Sequence, residues 1–365
     1  MPKRRKQRHG KFVNIHDYFY FLIDLVEQNK ELIKNRSKQE IKSDIEDIIM
    51  FYFHLTKTQL ILSRNKEVPT ELARSVKEVV LQYIKGVPLA YLTHKACFFG
   101  YDFFVNESCL IPRIDSEVVV EKALETLKKK VKEKTNKTIH IAECNGICNK
   151  TEDNLAKNNT INILDACCGS GCLGISLVKY AIDKKMLKPF FIKNIANKKI
   201  HDDIKLELTL LDISSSAIQV AKLNANKLLD GSTKDFCNVK YVIDDIVQGF
   251  SFEQYDIIIC NPPYIETNEI EKLDYSIRNF EPKLALDGGD DGLKFYRAIA
   301  GFLAKHLKNN GVAFFEIGFN QGTTARMIFK KNNFNVDMIK DYGKQDRCLI
   351  VKPITLKNYV ENGKS

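Results

Sequence analysis

From Tyr18 to about Leu62, apolar residues return every three or four positions (Tyr18, Leu22, Leu25, Val26, then Ile41, Ile45, Ile48, Ile49, Tyr52, Phe53), with polar residues between them. That spacing puts one apolar stripe along a helix. It predicts two amphipathic helices, and a third is predicted after Pro69, with Thr70 as its N-cap, ending near Gly86 before Pro88. Together they read as a small helical bundle. Residues 97–112 (CFFGYDFFVNESCLIP) set β-formers around Gly100, Asn106 and Ser108 and predict a short β-hairpin. A helix is expected from about Ser116 to Leu127, and the Lys- and Asn-rich stretch 128–160, with little periodicity, reads as an inserted loop.

From Ile161 the pattern changes. Short apolar runs at 161–164, 206–211, 239–243, 256–260 and 312–317 alternate with helical patterns at about 172–180, 214–229, 292–308 and 321–332. Strands alternating with helices predict a mostly parallel α/β sheet. Two further β-like runs, 334–339 and 347–352, lie a short turn apart, so a hairpin makes the last strand antiparallel to its neighbour. The expected organisation is a basic tail over 1–16, a helical domain over 17–86, and a linker with hairpin over 87–112. An α/β domain over 113–356, with inserts at about 128–160 and 179–205, and a tail over 357–365 complete it.

With 365 residues, 44% of them apolar, the chain is long enough to bury a sizeable core, which excludes disorder for its bulk. No run approaches the roughly 18 apolar residues of a membrane span, and the N-terminus lacks the apolar core of a secretion signal. The ten cysteines are scattered and include the adjacent pair Cys167 and Cys168; they read as reduced thiols of a cytoplasmic protein. The acid-free residues 1–16 also leave an organelle-targeting tract open. The net charge of +10 suggests a nucleic-acid partner until it is apportioned. Residues 1–16, 128–160 and 179–205 carry +6, +4 and +5, which leaves −5 for the rest of the chain.

Three constellations carry chemistry. The first, INILDACCGSGCLGISL at 161–177, runs strand, acid, glycine turn, helix. Gly169, Gly171 and Gly174 fit the dinucleotide pattern G-x-G-x-x-G, which makes a nicotinamide enzyme one reading. Asp165, at the end of the strand, suits a cationic amino-acid ligand instead. The second is Asp212, at the end of LELTLLD, where ribose hydroxyls are held in such folds. Its distance from the glycine turn becomes ordinary once 179–205 is treated as an insertion, and an N-cap role is the competing reading, although Ser214 is also placed to cap. The third is Asn261-Pro262-Pro263-Tyr264, directly after the buried run DIIIC. Two prolines stiffen the backbone and remove two donors, and the Asn carboxamide adds an acceptor and a donor in fixed geometry. A planar amide or exocyclic amine placed there would give its N–H groups to the Asn261 oxygen and the Pro262 carbonyl, with the Tyr264 ring stacked on its plane.

These motifs together resemble class I S-adenosylmethionine-dependent methyltransferases that act on planar nitrogen. The stretches GVPLAYL (86–92), FFGYDFFV (98–105), LIPRIDSEVVVEKAL (110–124), FEPKLALDGGDDGLKFYRAI (280–299), FFEIGFNQG (314–322) and KDYGKQDRCLIV (340–351) narrow the resemblance to the HemK/PrmC family, the protein-(glutamine-N5) methyltransferases of peptide chain release factors. The resemblance covers about 85–365 apart from the inserts. It implies a Rossmann-like seven-stranded sheet with a C-terminal antiparallel hairpin, plus a small N-terminal helical domain, residues 17–86, that recognises the substrate. It implies S-adenosylmethionine as methyl donor, S-adenosylhomocysteine as product, no metal, and the GGQ loop of class 1 release factors as partner, with ribosome association open. Carried over residue by residue, it places the cofactor against Asp165, Cys167, Cys168, Gly169, Ser170, Gly171, Asp212, Asp245, Ile246 and Asn261. Asn261, Pro262 and Tyr264 become catalytic, with Pro263, Arg113 and Glu281 toward the substrate. Arg113 and Glu117 would form a cover, with a salt bridge at the helix start as the alternative, and Glu281 and Pro282 would shape the substrate mouth. The family has Gly-Thr where this chain has Cys167-Cys168, which is expected to narrow the turn slightly.

Rival readings stay open at this stage. An adenine-N6 nucleic-acid methyltransferase uses the same cradle for an exocyclic amine, and ribosomal-protein glutamine methyltransferases share the glycine turn and NPPY. A non-catalytic binder on the same fold and a nicotinamide oxidoreductase are weaker. No nucleic-acid substrate and no membrane partner are expected. Phe98 and Phe103 read as core, and His140, Cys144 and Cys148 as loop residues rather than metal ligands.

Overall fold

The computed structural model describes residues 14–144, 159–187, 204–248 and 253–354, with side chains excepted at 137–144 and 232. The chain divides into two compact units, Met1–Lys95 with Leu273–Glu281, and Ala96–Lys272 with Pro282–Ser365.

The first unit is helical. Helices Ile15–Gln28, Lys38–Tyr52 and Thr70–Ile84 bury one stripe each, bringing Tyr18, Leu22 and Val26 against Ile41, Ile45 and Ile48 and against Val76, Val80 and Tyr83. Side chains start two of them: Asn14 Oδ1 accepts from the Asp17 N–H at 2.9 Å, and Ser37 and Glu40 form a reciprocal capping box. A short third helix, Lys57–Leu62, stands where the apolar stripe already fades. Pro69, not Thr70, occupies the N-cap of Thr70–Ile84; a proline is tolerated there because the first turn has no use for its missing N–H. Leu273–Glu281, with the helix Tyr275–Phe280, belongs to this unit although it lies deep in the sequence of the expected α/β domain.

The second unit opens with a hairpin of β1 (Ala96–Phe98) and β2 (Tyr101–Phe103), shorter than the expected 97–112. Its main sheet contains β3 (Thr160–Ala166), β4 (Lys205–Asp212), β5 (Cys237–Ile243), β6 (Tyr255–Cys260), β7 (Leu307–Glu316), β8 (Phe334–Lys340) and β9 (Asp346–Pro353). Their order is β5-β4-β3-β6-β7-β9-β8. β3 to β7 pair in parallel, while β9 is antiparallel to both β7 and β8. This is the expected Rossmann-like seven-stranded sheet with its closing hairpin. Apolar clusters cover both faces, one with Ile163, Leu208 and Phe314, the other with Leu164, Ile258 and Phe315. Such double burial is why the strands read as continuous apolar runs. Phe98 and Phe103 are core, as expected.

One expectation fails plainly. The helix that was to end near Leu127 runs from Glu117 to Cys144, through the first half of the supposed loop. Its buried apolar stripe runs to Val131, and the residues just beyond it, Lys132, Glu133 and Lys134, are good helix formers that hydrophobic spacing does not register. Lys130, counted as insert surface, is only 5% exposed; its ammonium donates to the Asn310 carbonyl at 2.7 Å and lies 3.8 Å from Asp256 Oδ1. The rest of that insert to 158, most of 179–205, the tails 1–13 and 355–365, and Cys148 lie outside the described residues, as do the side chains of His140 and Cys144.

Candidate methyl-transfer site

The strand order reverses between β3 and β6, and at such a switch point the loops leaving the carboxyl ends part to form a crevice. A cavity of about 230 Å³ lies there, walled by the segments that follow β3, β4, β5 and β6. Of the predicted residues it brings together Arg113, Cys167, Cys168, Gly169, Ser170, Asp212, Asp245, Ile246, Asn261 and Pro263. Pro282 lines it too.

The turn after β3 is tight. Cys167 (φ 55°), Gly169 (φ 53°) and Gly171 (φ 76°) all lie in the left-handed region. Cys167 stands where the family resemblance has Gly, so a side chain here accepts backbone strain that glycine avoids. Next to it the packing is close: a Cβ on Gly174 would fall 2.8 Å from the Asp165 Cβ. At Gly169, by contrast, a Cβ would meet only the Cys109 Cβ, at 3.9 Å, so the turn leaves open space on its cavity side.

Asp165 anchors this turn from beneath. It is fully buried, and its Oδ2 accepts from the Gly174 N–H at 2.8 Å, while Oδ1 has no partner among the described residues. Burial is the main reason its carboxyl is pushed up to about 8, with nearby Asp212 adding to the rise. Asp165 and Gly171 do not line the cavity, so the carboxylate expected to meet the ligand sits one layer back.

Asp212 is on the wall. Its Oδ2 accepts from the Gly169 N–H and its Oδ1 from the Ser214 N–H, both at 2.9 Å, which joins the ends of β3 and β4 and leaves further lone pairs on each oxygen. Ser214, not Asp212, caps the next helix, accepting from the Ala217 N–H at 3.2 Å. Burial raises the Asp212 carboxyl, and the Ser214 and Gly169 amides oppose that rise. Asp245 is engaged by its own turn, its Oδ1 accepting from the Val247 N–H at 2.9 Å, and Ile246 is buried beside it.

After β6, Asn261 and Pro263 reach the wall and Pro262 is buried between them. Neither the Asn261 carboxamide nor the Pro262 carbonyl has a hydrogen-bond partner among the described residues. Tyr264 does not line the cavity; its hydroxyl donates to Glu316 Oε1 at 3.3 Å. Glu117 does not line the cavity either: its Oε1 accepts from the Phe99 N–H at 2.7 Å and fixes the hairpin. Glu281 is buried and belongs to the helical unit. The cavity wall also includes Cys109, Leu110, Pro112, Leu284, Lys294 and Phe295, to which the sequence assigned no role although all but Cys109 lie in stretches that match the family.

Two family models match the chain: the PrmC N-terminal domain over residues 24–93 and the RMKL-like methyltransferase domain over 155–274. The release factor glutamine methyltransferase of Thermodesulfovibrio yellowstonii is 30% identical over 310 residues, covering 85% of this chain and 91% of that protein. The protein of the same name from Clostridium acetobutylicum is 28% identical over 320 residues, covering 87% of this chain and 94% of its own. Among solved structures, the protein-(glutamine-N5) methyltransferase (release factor-specific) of Alicyclobacillus acidocaldarius overlaps 69% of this chain and all of that one, at 21% identity and a TM-score of 0.32. The fold assignment rests on the strand topology and not on that overlay. Similar along nearly the whole length of the relatives from Thermodesulfovibrio and Clostridium, the chain belongs to the release factor glutamine methyltransferase family.

Proposed function

We propose that this protein transfers a methyl group from S-adenosylmethionine to the side-chain amide nitrogen of the glutamine in the GGQ loop of class 1 peptide chain release factors. The observation that supports it most is the Asn261 carboxamide, without a hydrogen-bond partner among the described residues and on the wall of a cavity that also carries the open glycine turn and Asp212. S-adenosylmethionine, when bound, supplies an electrophilic methyl on a sulfonium. The chain's own residues fit such a ligand. Open space beside Gly169 receives its extended tail, and the spare Asp212 lone pairs accept ribose hydroxyls. The Ile246 segment packs beside a flat base.

An amide nitrogen is nearly non-basic because its lone pair is delocalised, so a general base is not the main need. Asn261 Oδ1 and the Pro262 carbonyl accept the two amide N–H groups, draw electron density toward nitrogen and aim it at the methyl carbon. Catalysis then comes from orientation and fixed dipoles. Release of the proton follows, once the nitrogen has become acidic. Among the described residues no helix is long and apolar enough to cross a membrane, and a reducing cytoplasm, where release factors act, suits the free thiols at Cys109, Cys167, Cys168 and Cys172 around the cavity.

The test is transfer of labelled methyl to a class 1 release factor, to the same factor with its GGQ glutamine changed to alanine, and to DNA and RNA. Label in the first alone is expected. Label that persists without the glutamine, or that enters nucleic acid, overturns the reading in favour of another acceptor.

A further inference from the structure

Tyr264 ends the NPPY tetrapeptide and is held at both ends of its residue. Its carbonyl accepts from Gln321 Nε2 at 2.8 Å and its hydroxyl donates to Glu316 Oε1 at 3.3 Å. Gln321 is 7% exposed and uses its whole amide: Nε2 also donates to the Gly292 carbonyl at 3.2 Å, and Oε1 accepts from the Gly318 N–H at 3.0 Å. Glu316 is buried, and its own carbonyl accepts from the Tyr296 hydroxyl at 2.7 Å. There is no slack around this joint. A Cβ on Gly292 (φ +68°) would lie 2.4 Å from both Gln321 Nε2 and the Tyr264 oxygen, and one on Gly288 would lie 2.7 Å from the Tyr264 Cα. Thus the stretches DGGDDGLKFYRAI and FFEIGFNQG, which matched the family without an assigned task, meet on one residue of the third motif.

The chain between Tyr264 and Asn261 is Pro262-Pro263, whose φ angles are locked by their rings. A grip on Tyr264 therefore passes to Asn261 through a stiff two-residue lever. Resting on the function read above, we propose that Gln321 and Glu316 are positioning residues for methyl transfer: they clamp Tyr264 by carbonyl and hydroxyl and so hold Asn261 and Pro262 in register with the cavity. Neither touches the reacting atoms. Their effect is on orientation, where a displacement of about 1 Å is enough to cost on the order of a hundredfold in rate.

The experiment pairs hydrogen exchange with kinetics on the full chain. Gln321→Met keeps length and bulk but removes all three hydrogen bonds; Gln321→Glu keeps only the acceptor for Gly318. For both, amide exchange across 261–265 is expected to rise and kcat to fall about tenfold or more. KM for the release factor and affinity for S-adenosylhomocysteine should stay within about twofold, the split expected when orientation and not binding is lost. Glu316→Gln, which still accepts from the Tyr264 hydroxyl, should keep most of the kcat that Glu316→Leu loses. Arg326→Ala removes the guanidinium bond to the Val336 carbonyl on the same Gly322–Lys331 helix and controls for general loosening; it should leave kcat as it is. Folded Gln321→Met with unchanged exchange or unchanged kcat overturns the proposal, as does an equal fall in Arg326→Ala. If the unmodified protein methylates no release factor, the function itself is wrong, and the exchange data alone still report whether the clamp exists.

Discussion

At the amino end of β6, Asp256 is saturated by the protein: its Oδ2 accepts from the Asn162 N–H at 2.9 Å and the Lys308 ammonium at 2.6 Å, and its Oδ1 faces Lys130 at 3.8 Å. At the carboxyl ends of the same sheet the polar groups are left partly unused among the described residues, with one oxygen of Asp165 unpartnered, spare lone pairs on Asp212, and a free Asn261 carboxamide. One end of the sheet is a lock and the other is a socket. Burying a polar group without a partner costs about 1–3 kcal/mol, so the unused groups gather where a ligand would repay that cost.

Substitutions at the two ends should therefore separate stability from activity. Asp256→Ala would leave the buried Lys130 ammonium without its counter-charge, and a loss of about 3–5 kcal/mol in denaturant unfolding is expected, with kcat of the folded fraction intact. A loss under about 1 kcal/mol would mean the Asn310 carbonyl alone suffices for Lys130. At the socket, Asn261→Ala should cut single-turnover transfer by about 10²–10³-fold while S-adenosylhomocysteine still binds and the melting temperature holds. Loss of binding in step with turnover would move Asn261 from orientation to folding. Asp212→Asn should weaken S-adenosylhomocysteine binding by about tenfold, roughly 1.4 kcal/mol, as read by calorimetry; unchanged affinity would break the assignment of the ribose to this acid.

A further effect concerns pH. The native Asp165 carboxyl is raised by burial from the ordinary 3.8 to about 8. Between those values the folded chain keeps a proton that the unfolded chain has released, so this group's contribution to stability is present at low pH and is lost as pH rises toward 8. Asp165→Asn should flatten that decline in urea midpoints measured at pH 5 and pH 8. An equal slope in the variant would contradict the burial argument.

Much of this contrast was legible in the chain. Every predicted strand of the sheet is present, because doubly buried strands are apolar runs of the right length between helical periods. The glycine turn, Asp212 and NPPY lie within a few residues of strand ends, so strand placement alone brought them to one cavity. What escaped was whatever depends on contacts distant in sequence. Lys130 looked like insert surface, since a lysine's burial is decided by Asp256 and Asn310 and by nothing beside it. The membership of Leu273–Glu281 in the helical unit likewise has no local sign. Asp165, expected to meet a cationic amino-acid ligand at the strand end, instead accepts from the Gly174 N–H and lies outside the cavity wall. The Tyr264 ring, expected to stack on the target, is tied to Glu316, which lies 52 residues further on.

The central claim is that the acceptor is a glutamine side-chain nitrogen. Tandem mass spectrometry of a class 1 release factor treated with this protein and S-adenosylmethionine tests it at the level of the atom. One added methyl is expected on the side-chain amide of the GGQ glutamine, absent when Asn261→Ala replaces the unmodified enzyme. A methyl on any other residue, or an unmodified GGQ peptide after active enzyme has consumed the donor, would contradict it.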